Sequence, residues 1–277
     1  MEYKKRLGDI LLKERLESKG AVLVEGAKWC GKTTTAEQIS KSRLYMQDPA
    51  KKEQNMQLAS VNPGLLLQGK TPRLIDEWQL APKLWDAVRF EVDRRNEFNQ
   101  FILTGSAVPA SVDEISHSGT GRITRFLMRP MTLLESEESS GEVSLARLFK
   151  SDYQVAATNN SDLQKIAYLI CRGGWPGALK GKTDNAKLSI AKDLFNQTCD
   201  VDISKIDDVK RNPVWARTIL RSYGRNLCTL ATTKTILADV TATCEMVKQT
   251  YYDYMSGFEK LMIVEDVEAW CPAIRSK

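Results

Sequence analysis

The chain has 277 residues, 42% of them hydrophobic and 27% charged, a globular composition that excludes a disordered, collagen-like or disulfide-scaffold protein. At roughly 150 residues per domain, that length predicts a little under two domains. The 40 Lys and Arg against 35 Asp and Glu leave +5, which permits a polyanionic partner without demanding one, and the single histidine, His117, removes a His-rich zinc site and the usual base of Ser-His-Asp and Cys-His mechanisms.

Chemistry must therefore run on carboxylates, Lys, Arg or a metal with oxygen ligands. The six cysteines include no C-x-x-C pair, a spacing that suits free thiols. No apolar run long enough to span a membrane appears, and no apolar signal segment follows the charged opening Tyr3-Lys4-Lys5-Arg6. A reducing cytoplasm is the expected compartment, with no membrane partner.

In chain order, residues 7–18 read as a helix and Ala21–Val24 as a strand, followed by a helix near 33–42 and a strand at Leu44–Met46. A helix near 50–60, a strand at Arg73–Ile75, a helix at 82–96, and strands at Phe101–Leu103 and Ile123–Leu127 complete the first half. Leu84, Trp85, Val88 and Val92 recur at helical spacing after Pro82, a residue tolerated in a first helical turn. Alternation of strand and helix predicts an α/β fold: a parallel sheet covered on both faces, with ligands at the carboxyl ends of its strands.

A polar stretch, Glu135–Glu142, marks the edge of this core. Helical patterns dominate from about 144 to 230, broken at Gly173–Gly177. From Thr232 the order is a short helix, a turn at Thr241–Thr243, a longer helix with Val247, Tyr251, Tyr254, Phe258 and Leu261 on one stripe, and an apolar strand at Leu261–Val264. Helix, turn, helix, strand is a winged-helix outline. The expected layout is an α/β core over 1–140, a helical region over 141–212 and a winged-helix-like domain over 213–277.

Gly26-Ala27-Lys28-Trp29-Cys30-Gly31-Lys32-Thr33 fits G-x-x-x-x-G-K-[ST] between a strand and a helix. Glycines let successive backbone N–H groups turn inward, and the following helix offers its positive end, so the loop with Thr34 is expected to cradle β- and γ-phosphates. Lys32 would place its ammonium on them and Thr33 its hydroxyl on Mg²⁺. Lys28 and Trp29 fall in the variable part of the loop, and Cys30 reads as a small space-filling residue.

Arg73-Leu74-Ile75-Asp76-Glu77 ends an apolar strand in two acids. Asp76 reads as the acid that holds Mg²⁺ and Glu77 as the general base for an attacking water, filling the gap left by the missing histidines. The strand Phe101–Leu103 runs on into Thr104-Gly105-Ser106, so Thr104 or Ser106 is expected to sense the γ-phosphate. Arg122, before the last strand, is the candidate guanidinium for that phosphate, with Arg125 and Arg172 as weaker ones.

These motifs resemble a family. The run Gly20–Ala36, Leu74–Gln79, Ile102–Ala107 and Arg122 ahead of Met128–Met131 look like the prokaryotic AAA-type ATPases of AAA family fourteen; Gly173–Gly177, Asp200 and Asp202 look like its helical region. The resemblance implies ATP and Mg²⁺ as cofactors and a P-loop core followed by a winged helix. It also implies a nuclease-like C-terminal domain of uncharacterised function, before which this chain is expected to stop. AAA-type machines often use a neighbour's arginine, which implies nucleotide-dependent homo-oligomers with Arg122 acting in trans.

The leading expectation is an ATPase that switches a helical and winged-helix module. A small-molecule kinase shares the phosphate loop, but the double acid suits water attack better. A DNA-binding role through the winged helix is the third reading. Its expected recognition helix, Glu245–Tyr254, carries one lysine against two acids, so a protein partner competes with DNA.

Overall fold

The computed structural model describes residues 2–105, 119–150, 154–159, 161–207 and 209–266. Ser106 and His117 lie outside the described residues. The chain divides into two compact units, 1–197 and 198–277.

The first unit opens with helix α1 (Leu7–Ser18), whose start is capped by Asp9 accepting the backbone N–H of Arg6 at 2.8 Å. The strands are β1 (Ala21–Glu25), β2 (Ser42–Tyr45), β3 (Arg73–Asp76), β4 (Phe101–Gly105) and β5 (Ile123–Leu127). Between them lie α2 (Lys32–Ile39), α3 (Lys52–Val61) and α4 (Lys83–Arg95). The strands form one parallel sheet in the order β2-β3-β4-β1-β5. β4, the next strand after β3 but far from β1 in sequence, thus lies between β1 and β3.

Successive strand residues point to opposite faces, and both faces are covered, which is why the strands read as unbroken apolar runs. Ala21, Leu23, Ile75, Phe101 and Leu103 pack with Ala59 of α3 and with Leu84, Trp85, Val88 and Val92 of α4. Val22, Val24, Leu74 and Ile102 face the other way, onto Leu12 and Leu16 of α1 and Ala36 of α2. Each fully buried Leu or Ile in these layers contributes about 1.5–3 kcal/mol. This double layer aligns Glu25, Asp76, Thr104 and Gly105 along one edge of the sheet.

After β5 the unit continues through α5 (Leu145–Leu148), α6 (Leu163–Arg172), a 3₁₀ turn at Pro176–Lys180 and α7 (Asp184–Gln197). The second unit contains α8 (Ile203–Lys205), α9 (Pro213–Arg225), α10 (Thr233–Thr241) and α11 (Lys248–Lys260). Tyr251, Tyr254 and Phe258 are its buried stripe, while Val247, expected on that stripe, is exposed.

Leu261–Val264 is not a strand. The N–H of Ile263 bonds to Phe258 O at 3.0 Å, that of Met262 bonds to Glu259 O at 2.8 Å, and Met262 is left-handed at φ 57°. That pattern is a Schellman helix cap. The apolar run is spent on ending α11, with Leu261 and Val264 buried, and the described residues of this unit contain no strand to serve as a wing. Nor is any helix among the described residues long and apolar enough to cross a membrane.

Candidate functional site

β1 ends at Glu25, and the chain turns through Gly26 to Gly31 before α2 begins at Lys32. Gly26 has φ 156°, and a Cβ there would lie 2.2 Å from the carbonyl oxygen of Met128, so no other residue fits. Gly31 is left-handed at φ 103° and forms the entry to α2.

Lys32 is buried and folds back over its own loop, donating to Gly26 O and Ala27 O at 2.9 Å each. Burial pulls its ammonium below the ordinary lysine range, and Cys30, Glu77 and Asp76 nearby oppose that shift. Neutral carbonyls are weak partners for a buried cation. Anionic oxygens would satisfy it better.

Thr33, one residue on, donates to Oδ1 of Asp76 at 2.6 Å, across 43 residues of sequence. Thr104 on β4 donates to the same oxygen at 2.5 Å, and Gln47 Nε2 lies 3.5 Å from Oδ2. Asp76 is thereby sunk beneath two hydroxyls, at 1% exposure. Glu77 follows it in the left-handed region, φ 56° and ψ 45°, a conformation costing a non-glycine residue roughly 1–2 kcal/mol. Its carboxyl is half-buried and pushed up by that burial; the amide of Gln79 opposes the shift and the charge of Asp76 reinforces it.

A cavity of about 760 Å³ opens over the loop, lined by Lys28, Trp29, Lys32, Thr33, Thr34 and Glu77 together with Tyr3, Pro176, Leu179, Lys180 and Leu194. Charged and hydroxyl groups of the loop thus share the cavity with apolar side chains, in a volume suited to a small ligand. Among the described residues no three His, Cys, Asp or Glu gather as a metal cluster. The donors at hand, the Thr33 hydroxyl and the Asp76 carboxylate, are hard oxygens of the kind Mg²⁺ takes when substrate phosphates and water complete its shell. These residues fit a Mg²⁺-nucleotide pair.

Several expected residues stand elsewhere. Cys30 is fully buried in the core, its thiol donating to Met128 O at 3.3 Å and pushed up by burial, so only its backbone belongs to the loop. Trp29 is 57% exposed and left-handed at φ 63°. Arg122 is a correction for a role within its own chain. Its carbonyl accepts from Ala21 N, at the start of β1, and its guanidinium pairs with Asp93 at 2.7 Å. The length of β1, about 13 Å at 3.3 Å per residue, separates that edge from the loop. Arg125 pairs with Glu25 at 3.1 Å, and Arg172 is buried against Glu138 at 2.6 Å.

Sequence reasoning missed Arg6. It is buried and donates to Cys30 O at 2.9 Å, Arg129 O at 2.8 Å and Glu135 Oε1 at 3.0 Å, binding the back of the loop to the chain after β5. Tyr3 was missed too; its hydroxyl donates to Asp9 at 2.6 Å and lies 3.0 Å from Thr35 Oγ1 of α2. Only Asp9, three residues after Arg6, signals anything locally, and it signals a helix cap.

A parallel sheet with β4 inserted between the two motif strands, a glycine loop entering α2 and an acid at the end of β3 define a P-loop nucleotide-binding core. Residues 18–137 match the family model described as AAA domain, the fourteenth so numbered, and the chain carries an AAA domain of the P-loop type over that span. Residues 163–277 match a second family model, described as a domain of unknown function, DUF8612. That match starts at α6, whereas compactness divides the chain after Gln197. No curated protein matches the chain.

Proposed function

We propose that this protein is a Mg²⁺-dependent ATPase of the AAA type. The observation that carries the reading is the meeting of Thr33, Asp76 and Thr104 on one carboxylate oxygen, with Lys32 and Glu77 on the same cavity. The backbone from Gly26 to Thr34 would hold the phosphates of ATP, with Lys32 exchanging loop carbonyls for phosphate oxygens. Thr33 and Asp76 would hold Mg²⁺, which when bound neutralises phosphate charge. Glu77 takes the proton of the attacking water, and Thr104 couples the phosphate end of the cavity to Asp76. Replacing Glu77 with Gln should preserve ATP binding and abolish most turnover; wild-type turnover in E77Q would sink the assignment. Release of phosphate without any added acceptor separates an ATPase from a small-molecule kinase.

The core over 1–140 would drive the helical segments beyond it, 141–212 and 213–277, and through them a protein or DNA partner. Failure to bind duplex DNA even at low salt would remove the DNA branch. Arg122, exposed on the far edge, would reach phosphate only in a neighbouring copy; light scattering that gives a monomer under ATP and ADP alike would exclude this. The free thiols of Cys30, Cys171, Cys199, Cys228 and Cys244 fit a reducing cytoplasm.

A further inference from the structure

We infer that Gln79 is a positioning residue for Glu77, fixing the carboxylate from a seat that Gly105 leaves open. The inference rests on the reading of Glu77 as the base. Gln79 Nε2 donates to Glu77 Oε2 within the single 3₁₀ turn Trp78–Leu80 that follows β3. The turn starts from the left-handed backbone of Glu77, so base and amide form one local unit.

That unit is seated against β4. A Cβ on Gly105 would lie 2.6 Å from Gln79 Oε1 and 3.2 Å from Trp78 Nε1, so any larger residue would press on the carboxamide. Gly105 is absent from the positive-φ glycines. It is therefore required for space and not for backbone freedom. The end of β4 thus serves both acids: Thr104 holds Asp76, and Gly105 admits the amide that holds Glu77.

Gln79 Oε1 is buried and has no hydrogen-bond partner among the described residues. The side chain's matched atom is the one on Glu77. A glutamate side chain otherwise samples several rotamers, and a misplacement of about 1 Å near reacting atoms costs on the order of 100-fold in rate.

The test is steady-state ATP hydrolysis and nucleotide binding by the full chain carrying Q79A, Q79N, E77Q and E77Q/Q79A. Q79A is expected to lower kcat about 10- to 100-fold with KM and nucleotide affinity within about twofold. Q79N, one methylene shorter, should fall likewise while keeping a polar group, which guards against misfolding of Q79A. In the E77Q background Q79A should add no further loss. Wild-type or faster turnover in Q79A and Q79N, or an equal loss with and without Glu77, would overturn the inference and leave the base reading standing. Wild-type turnover in E77Q would overturn the base reading itself.

Discussion

Thr104 donates its hydroxyl to Oδ1 of Asp76 at 2.5 Å, from the neighbouring strand and at the register position directly beside it. Hydrogen bonds to buried charged groups contribute about 1.5–3 kcal/mol. T104V keeps the shape and removes the donor. It should lower stability by about 1–3 kcal/mol and kcat by tenfold or more, with little change in nucleotide affinity. Thermal melts beside steady-state rates decide the matter: a variant that melts and turns over like the wild type would leave the bond without a role.

Arg6 and Glu135 form an ion pair whose side chains are only 5% and 6% exposed. Removing one partner of such a pair costs about 3–5 kcal/mol, because the other charge stays buried. R6M should lose that much in urea unfolding and should loosen nucleotide binding as well, since Cys30 O in the loop loses its donor.

The same pair predicts acid sensitivity. Burial would push the Glu135 carboxyl up, but the N–H groups of Thr132 and Leu7 and the Arg6 guanidinium together hold it below the ordinary range. A carboxyl held low adds stability that is present above its unfolded value, about 4.3, and is lost as pH falls through the lower folded value. The stability gap between wild type and E135Q should therefore be widest near neutrality and close below about pH 4. A gap independent of pH would mean that the charge of Glu135 does not carry the effect.

Met262 occupies the left-handed position of the cap that ends α11. Glycine adopts that conformation without the Cβ penalty, so M262G should stabilise the C-terminal helices by roughly 1 kcal/mol. In a strand, the same substitution would cost about 0.5–1 kcal/mol. The direction of the change in unfolding midpoint therefore discriminates between helix cap and strand.

The helical boundaries of α1, the whole of β5 and the loop from Gly26 to Thr33 were legible because each is a local pattern: apolar spacing, or glycines at fixed offsets beside Lys32. Asp76 and Glu77 were legible as acids ending an apolar strand. Gln79 stood in plain view two residues later, but nothing in its spacing reveals that its amide meets Glu77 against Gly105.

Leu261–Val264 shows where local pattern fails. Four apolar residues in a row are equally at home in a strand or folded over a helix end, and hydrogen bonding back to Phe258 and Glu259 chose between them. Arg122 is a different case. It was placed correctly before β5, but a parallel sheet has two ends, and only strand direction says which one faces the ligand.

By itself the sequence determined the kind of protein: an alternating α/β core carrying a phosphate loop and a pair of acids, since these depend on contacts within a few residues. Tertiary structure alone decided what joins the site. Thr33 and Thr104 reach Asp76 across 43 and 28 residues, and Arg6 reaches Glu135 across 129. Such partners are set by strand order and by the burial of the groups between them, and no periodicity along the chain encodes either.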